Sequence, residues 1–205
     1  MIKFKLDDSI RNKKVEEILD LPTLVKVTEF NAASVKDFAS EFAKATQNTQ
    51  KVVPVVIDSY GGEVYSLLAM IDIIQSSKKP VATVCLGKAM SCGAVLLACG
   101  SQGMRYAAPN STIMIHDVSS MGRGKVGEVT ASAGETERLN KIIYHTMAEN
   151  CGKSKNYFLD IVHSKGHADW FLNAKTGVSH GIVNLIGIPA FDVDVRVDIN
   201  FGIIK

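Results

Sequence analysis

The run VVPVVI at residues 52–57 constrains the fold more than any other part of the chain. It is almost continuously apolar, which is typical of a strand that is covered on both faces. Gly61 and Gly62 follow it, and a helical pattern then extends to about Gln75. A buried strand that leads through a tight turn into a helix predicts an α/β fold.

The same alternation of short apolar runs and helical stretches continues along the chain. Further strands are predicted at 23–30, at VATVCL after Pro80, in MRYAA and STIMIH, and around 182–187. Further helices are predicted from a cap at Ser34 to about Thr46, after Ser91, from about Val129 to Asn150, near 154–164 and near 173–180. With 205 residues and no repeat, we expect one domain over residues 1–205.

Both ends of the chain alternate apolar and polar residues, which predicts half-exposed strands. The pattern covers residues 2–6 and the tail FDVDVRVDINF at residues 191–201. The first segment carries lysines and the second carries aspartates on the polar face. Opposite charges favour cross-strand pairing, so we expect residues 2–6 to lie beside residues 191–200.

Composition excludes several classes of function. The net charge is only +2, and the basic clusters lack interleaved aromatic residues, so nucleic acid is not expected as a partner. No apolar run approaches the ~20 residues of a membrane span, and the N-terminus lacks a secretory pattern. The four cysteines are interpreted as small buried hydrophobes rather than disulfides or metal ligands. These features predict a cytoplasmic protein without a metal or a cofactor.

Ser91 lies where the apolar run VATVCL gives way to a helix of small residues, in GKAMSCGAVLLACG. A serine at a helix start is commonly an N-cap, and it can also be a nucleophile. In the second case, the amide of Cys92 would stand beside the reacting carbonyl, among the unpaired amides of the first helical turn. Ala89 stands where a G-x-S-x-G elbow needs glycine, which argues against an α/β-hydrolase.

Three further stretches could complete such a site. Gly62, at the end of a buried strand, could supply a second oxyanion donor, and one such donor is worth ~3 kcal/mol in the barrier. His116 ends the apolar strand in NSTIMIHD, and Asp169 precedes two aromatic residues in HADWFLNA. The structural alternatives are a tight turn, a buried histidine and a cap or turn aspartate. The order glycine pair, serine, histidine and aspartate favours chemistry.

The combination resembles the Clp protease proteolytic subunit, a barrel-forming serine peptidase. The matching stretches are DSYGGEVYSLLAMIDIIQ, GKAMSCGAVLLACG, MRYAAPNSTIMIHD and DWFLNAKTGVSHGIV. They cover most of residues 54–187 in the family's order. The resemblance implies a ClpP/crotonase-like spiral of β-β-α units with a protruding handle helix, for which the helix ending at Asn150 is the candidate.

The resemblance also implies roles for individual residues. Ser91 is the nucleophile, His116 is the general base and Asp169 orients the imidazole. The backbone amides of Gly62 and Cys92 form the oxyanion hole. The implied activity is that of a serine endopeptidase which cleaves peptides or unfolded proteins inside a chamber of two stacked heptameric rings, a tetradecamer. A Clp-type ATPase unfoldase is the implied partner, although its docking residues are not recognisable here.

The chain departs from the family at several positions. Asp58 and Tyr60 replace the usual asparagine and proline before the glycine pair. Asp117 follows the histidine in place of glutamine, where it could perturb or compete for the base. Ala168 replaces the arginine that links the rings of the family. Two alternatives therefore stay open: a non-catalytic ring or scaffold subunit, and a viral head-maturation peptidase of the same superfamily.

Overall fold

The computed structural model describes residues 22–190 of the chain. The strands are β1 (Val25–Val27), β2 (Val53–Ser59), β3 (Val81–Met90), β4 (Arg105–Ala107), β5 (Thr112–Ile115), β6 (Trp170–Asn173) and β7 (Leu185–Ile186). The helices are α1 (Ala32–Gln47), α2 (Val64–Gln75), α3 (Cys92–Ala98), α4 (Val126–Asn150), α5 (Tyr157–Ser164) and α6 (Ala174–Ser179). The predicted α/β class is confirmed.

The described strands form one mostly parallel sheet. Its main path is β1-β2-β3-β4-β7, and every pair along that path is parallel. β5 continues beside the far end of β3, again in parallel, and β6 pairs with β5 in the antiparallel sense. Parallel strands need crossover connections, which the intervening helices provide.

The centre of the sheet is buried on both faces, as the apolar runs predict. Val53, Val55 and Ile57 of β2 are fully buried. Helix α3 packs against the sheet and is buried at every position, because its small residues let its backbone approach closely. Continuous apolar runs in β2 and β3 therefore reflect cover from both sides.

The strand directions bring the candidate residues to one edge. The parallel strands β2, β3 and β5 end at Ser59, Met90 and Ile115, just before the glycine pair, Ser91 and His116. Because β6 is antiparallel to β5, its first residue Trp170 pairs with Ile115. The residue before Trp170 is thereby brought next to His116.

Arg105 joins two helices inside the core. Its guanidinium is almost fully buried, and its Nη1 atom donates to the carbonyl oxygens of Ala98, at 3.3 Å, and of Asn150, at 2.5 Å. These carbonyls belong to the last residues of α3 and α4. A positive charge at two helix C-termini is favourable because the helix dipole places partial negative charge there.

Most predicted elements are confirmed, with some differences in their bounds. The cap of α1 is Asn31, whose side chain accepts from the Ser34 amide, so Ser34 completes a capping box instead of starting the helix. The strand predicted as VATVCL runs on to Met90 because its end pairs with β5. The first strand is shorter than the predicted residues 23–30.

The longest described helix is α4, with 25 residues. The prediction placed its start at about Val129, and the structure places it at Val126. None of the helices in the described part is long and apolar enough to cross a membrane. The predicted strands at residues 2–6 and 191–201, with their pairing, lie outside the described residues.

Candidate active site

Ser91 occupies a strained turn between β3 and α3. Its φ of 54° and ψ of −121° fall in a region that residues with a side chain rarely adopt, at a typical cost of about 1–3 kcal/mol. Its amide donates to the Met114 carbonyl at 2.8 Å, which fixes the backbone to β5. Ser91 stands at the N-cap position, yet within the described residues its side chain makes no capping bond. The hydroxyl is therefore not used to cap the helix.

The glycine pair packs directly against this turn. Gly61 has a φ of 104°, and a Cβ atom there would lie 2.7 Å from the Cβ of Ser91. A Cβ atom on Gly62 would lie 2.4 Å from the backbone oxygen of Phe30. Both distances are too short for real carbon contacts, so only glycine fits at either position.

A cavity of about 60 Å³ opens beside the serine. Its lining includes Ser91, His116, Gly62 and Cys92. Cys92 is the first residue of α3, so its amide has no acceptor within the helix. The remaining walls are largely apolar: Val64, Val95, Ile115, Val118, Ile143 and Met147. The cavity could hold a small apolar group next to a developing negative charge.

His116 and Asp169 are neighbours across the β5–β6 pair. The His116 Nδ1 atom lies 3.8 Å from the Asp169 Oδ1 atom, which is beyond the length of a hydrogen bond. The carboxylate side chain is 54% exposed. Between residues 22 and 190, no hydrogen bond joins the Ser91 hydroxyl to His116. The structure therefore brings the serine and histidine to one cavity and the aspartate next to the histidine, in an open arrangement.

Cys92 is the rival nucleophile beside the cavity. Its thiol lies 3.3 Å from the Gly62 carbonyl oxygen and donates to it. Burial raises the pKa of the Cys92 thiol, and the residue is only 3% exposed. Reactive cysteines are partly exposed and have a lowered pKa, so Cys92 has the properties of a structural thiol.

Asp117 does not pair with the neighbouring His116. Among the described residues, its Oδ1 atom accepts from Asn140 Nδ2 at 2.8 Å and from the Tyr144 hydroxyl at 3.1 Å. Its Oδ2 atom lies 2.5 Å from the Nδ1 atom of His167. Partial burial alone would raise the pKa of Asp117, but these hydrogen bonds hold it below its usual value. The expected competition for the base is therefore replaced by a network of partners.

Sequence reasoning missed the partners of Asp117. Asn140 and Tyr144 are four positions apart on α4 and so share a face of that helix. That spacing was a usable signal, because two polar side chains on one face need a common partner when they are covered. His167 carried no such signal, since it lies fifty residues from Asp117 along the chain.

Fold and cavity together define a class: an α/β protein with its site at the carboxyl ends of parallel strands, where such sheets place their ligands. The sequence matches the family described as Clp protease over residues 11–189, so the chain belongs to the Clp protease family. The resemblance inferred from the four stretches is thereby confirmed.

A named relative agrees with this assignment. The chain is 34% identical over 151 residues to the ATP-dependent Clp protease proteolytic subunit 1 of Rhodopirellula baltica. The match covers 73% of this chain and 65% of the relative.

Proposed function

We propose that this chain is a serine endopeptidase that cleaves peptides or unfolded proteins through an acyl-enzyme intermediate. The proposal rests above all on Ser91, which is strained, makes no capping bond among the described residues and faces a cavity shared with His116. Backbone strain of this kind is concentrated at functional sites. Membership of the Clp protease family supports the same chemistry.

In the proposed mechanism, the Ser91 hydroxyl attacks the scissile carbonyl while His116 accepts its proton. The amides of Gly62 and Cys92 hold the oxyanion of the tetrahedral intermediate. His116 then gives the proton to the leaving amine, and a water molecule repeats the sequence to release the acyl group. Asp169 orients the imidazole and stabilises its charged form. Bond cleavage by this route needs no metal or nucleotide.

The open geometry sets a condition for this mechanism. The pair His116 and Asp169, now 3.8 Å apart, must close by about 1 Å to form a hydrogen bond. Catalytic hydrogen bonds are often long without substrate and tighten in the Michaelis complex. The exposed Asp169 side chain has room to move toward the imidazole.

Family membership also supports a proposal for the assembly. We expect heptameric rings that stack as a tetradecamer around an enclosed chamber, with α4 as the handle and a spiral arrangement of the β-β-α units. The relative's printed name includes ATP dependence, so a Clp-type ATPase is the proposed partner. Ala168 stands where the family places its ring-linking arginine, so ring pairing must rely on other contacts.

A fluorogenic peptide with a small aliphatic residue before the scissile bond suits the apolar cavity and tests the activity. We expect turnover by the wild type, loss of at least ~1,000-fold in Ser91→Ala, and normal turnover in Ser76→Ala, a serine at the exposed end of α2. A fluorophosphonate probe should label Ser91 alone. An assembled wild type with neither turnover nor labelling would favour the non-catalytic subunit.

A further inference from the structure

A second cluster of reactive side chains lies beside the candidate active site. Asp117, His163 and His167 each present a donor atom, and all three donor atoms lie within 4.8 Å of one another. The imidazole rings of His163 and His167 are 4.4 Å apart between centroids. Both histidines are exposed and the aspartate is half-buried, so an ion in solution can reach the cluster.

The carboxylate of Asp117 is held in the way that metal-binding carboxylates usually are. Its Oδ1 atom accepts from Asn140 and from the buried Tyr144, which leaves Oδ2 turned toward His167. Hydrogen bonds from outer residues fix the orientation of a ligating carboxylate and add to metal affinity. The rigid helix α4 carries both outer residues.

His167 is placed by an unusual backbone. Its φ of 62° is left-handed, a conformation in which residues other than glycine are uncommon. The left-handed turn directs the chain back after α5, whose last turn carries His163. The two imidazoles thus meet over Asp117 although they come from a helix and a loop.

The donor set selects the kind of ion. Two imidazoles and one carboxylate suit borderline transition ions such as Zn²⁺ and Co²⁺, whereas Mg²⁺ and Ca²⁺ prefer oxygen donors alone. A tetrahedral zinc ion with bonds of ~2.0–2.1 Å needs donors about 3.3 Å apart. The exposed histidine side chains can reach that spacing by rotation.

We propose that Asp117, His163 and His167 form a zinc site, with water as the fourth ligand. The ion would tie the segment after β5 to the last turn of α5 and to the loop between α5 and β6. That segment and that loop carry His116 and Asp169, which adjoin the cluster along the chain. The site stands on its own donor atoms and does not depend on the proposed peptidase activity.

Equilibrium metal binding by the full chain tests the proposal. Protein stripped with a chelator is titrated with Co²⁺, read by its visible absorption, and with Zn²⁺ against a chromogenic chelator. We expect one ion per chain, the strong visible bands of a tetrahedral Co²⁺ site, and no competition from Mg²⁺ or Ca²⁺. Zn²⁺ should also raise the unfolding temperature of the wild type.

Matched variants locate the ion. His163→Gln should weaken Zn²⁺ binding at least ~10–100-fold and abolish the stabilisation, while His145→Gln, which removes a histidine on α4 outside the cluster, should bind like the wild type. His167→Asn is the second variant, because asparagine tolerates a left-handed backbone. Circular dichroism in chelator checks the folding of each variant.

The opposite results would overturn the site. Wild-type affinity in both His163→Gln and His167→Asn would show that the ion binds elsewhere. Binding that survives in those variants and is lost in Asp169→Asn would move it to the candidate active site. Absence of any saturable binding at one ion per chain would also reject the proposal.

Discussion

The two halves of the candidate active site are built differently. In the serine half, the backbone amide of Ser91 donates a hydrogen bond to the Met114 carbonyl oxygen, and the residue packs closely against Gly61. In the other half, His116 and Asp169 face each other at 3.8 Å, with more than half of the carboxylate side chain exposed. The position of the serine is determined by buried backbone, whereas the positions of the histidine and the aspartate depend on side chains near the surface.

This contrast separates the part of the site that the core fixes from the part that it leaves adjustable. Buried strands and a buried helix leave the serine turn few alternatives, since moving it would disturb the core on every side. The histidine and aspartate lie at strand ends with solvent nearby, so bound substrate can still adjust them. We therefore expect substitutions in the serine half to displace the nucleophile and those in the other half to change how the imidazole is held.

Apart from loss of the nucleophile itself, the largest effect is expected from Gly61→Ala. The new Cβ atom would press on the Ser91 Cβ from 2.7 Å and displace the hydroxyl. A shift near 1 Å can cost roughly 100-fold in rate, so we expect peptide turnover to fall by about that factor. Gly103→Ala is the control, because Gly103 also has a positive φ but no atom within 4 Å of the new carbon. Equal turnover in the two variants would contradict a serine half fixed by packing.

Asp169→Asn should have the next largest effect. A buried triad aspartate can be worth about 10⁴ in turnover, but this carboxylate is exposed and distant, so we expect a loss of about 10–100-fold. Peptidase assays of the wild type and the variant at one fixed pH give the measurement. A loss as large as that of Ser91→Ala would mean that the pair is closed in the working enzyme.

Cys92→Ala probes a weak contact within the serine half of the site. The thiol's bond to the Gly62 carbonyl oxygen, at 3.3 Å, helps to hold the glycine turn. A hydrogen bond of this kind is worth about 0.5–1 kcal/mol. If the transition state loses that stabilisation, turnover should fall by roughly 2–5-fold. Loss of all activity, or inactivation of the wild type by a thiol reagent alone, would assign the nucleophile to Cys92 instead.

The smallest effect is a pH dependence of stability, which arises next to the His116 and Asp169 half of the site. The His180 ring packs edge-on against Trp170, the residue after Asp169, at 4.7 Å between centroids. Burial, together with Lys153 and Lys165, lowers the pKa of His180 below its ordinary value. As the pH falls, the imidazole of His180 is therefore protonated in the unfolded chain before it is protonated in the folded one. Its contribution to stability is present above about pH 6.5 and is lost as the pH falls below that value.

Urea unfolding at fixed protein concentration measures this contribution. Between about pH 7.5 and about pH 5.5, the unfolding free energy of the wild type should fall more steeply than that of His180→Gln. Glutamine can still bond to the Tyr157 hydroxyl, which lies 2.8 Å from the histidine Nδ1 atom. If the unfolding free energies of the two proteins changed in parallel with pH, His180 next to Trp170 would be as exposed to solvent as Asp169.

The sequence was informative where chemistry and folding use the same residues. The apolar runs predicted β2 and β3, and the glycine pair and Ser91 marked their ends. The glycine pair is required there because a Cβ atom at either position would clash with the neighbouring backbone or with Ser91. The pairing of β5 with β6, which brings Asp169 to His116, depends on contacts between distant segments and left no local pattern. The contact of His167 with Asp117 was hidden for the same reason, since the two residues lie fifty positions apart.

The buried Arg105 has a consequence for how α3 and α4 stay together. A guanidinium remains charged at every pH that a cell presents, so these hydrogen bonds do not depend on pH. Lysine could not replace it, since one ammonium lacks the planar fork that spans two carbonyl oxygens and the Gln102 side chain. Acidification that loosens histidine contacts elsewhere would leave the attachment of α3, the helix that follows Ser91, intact.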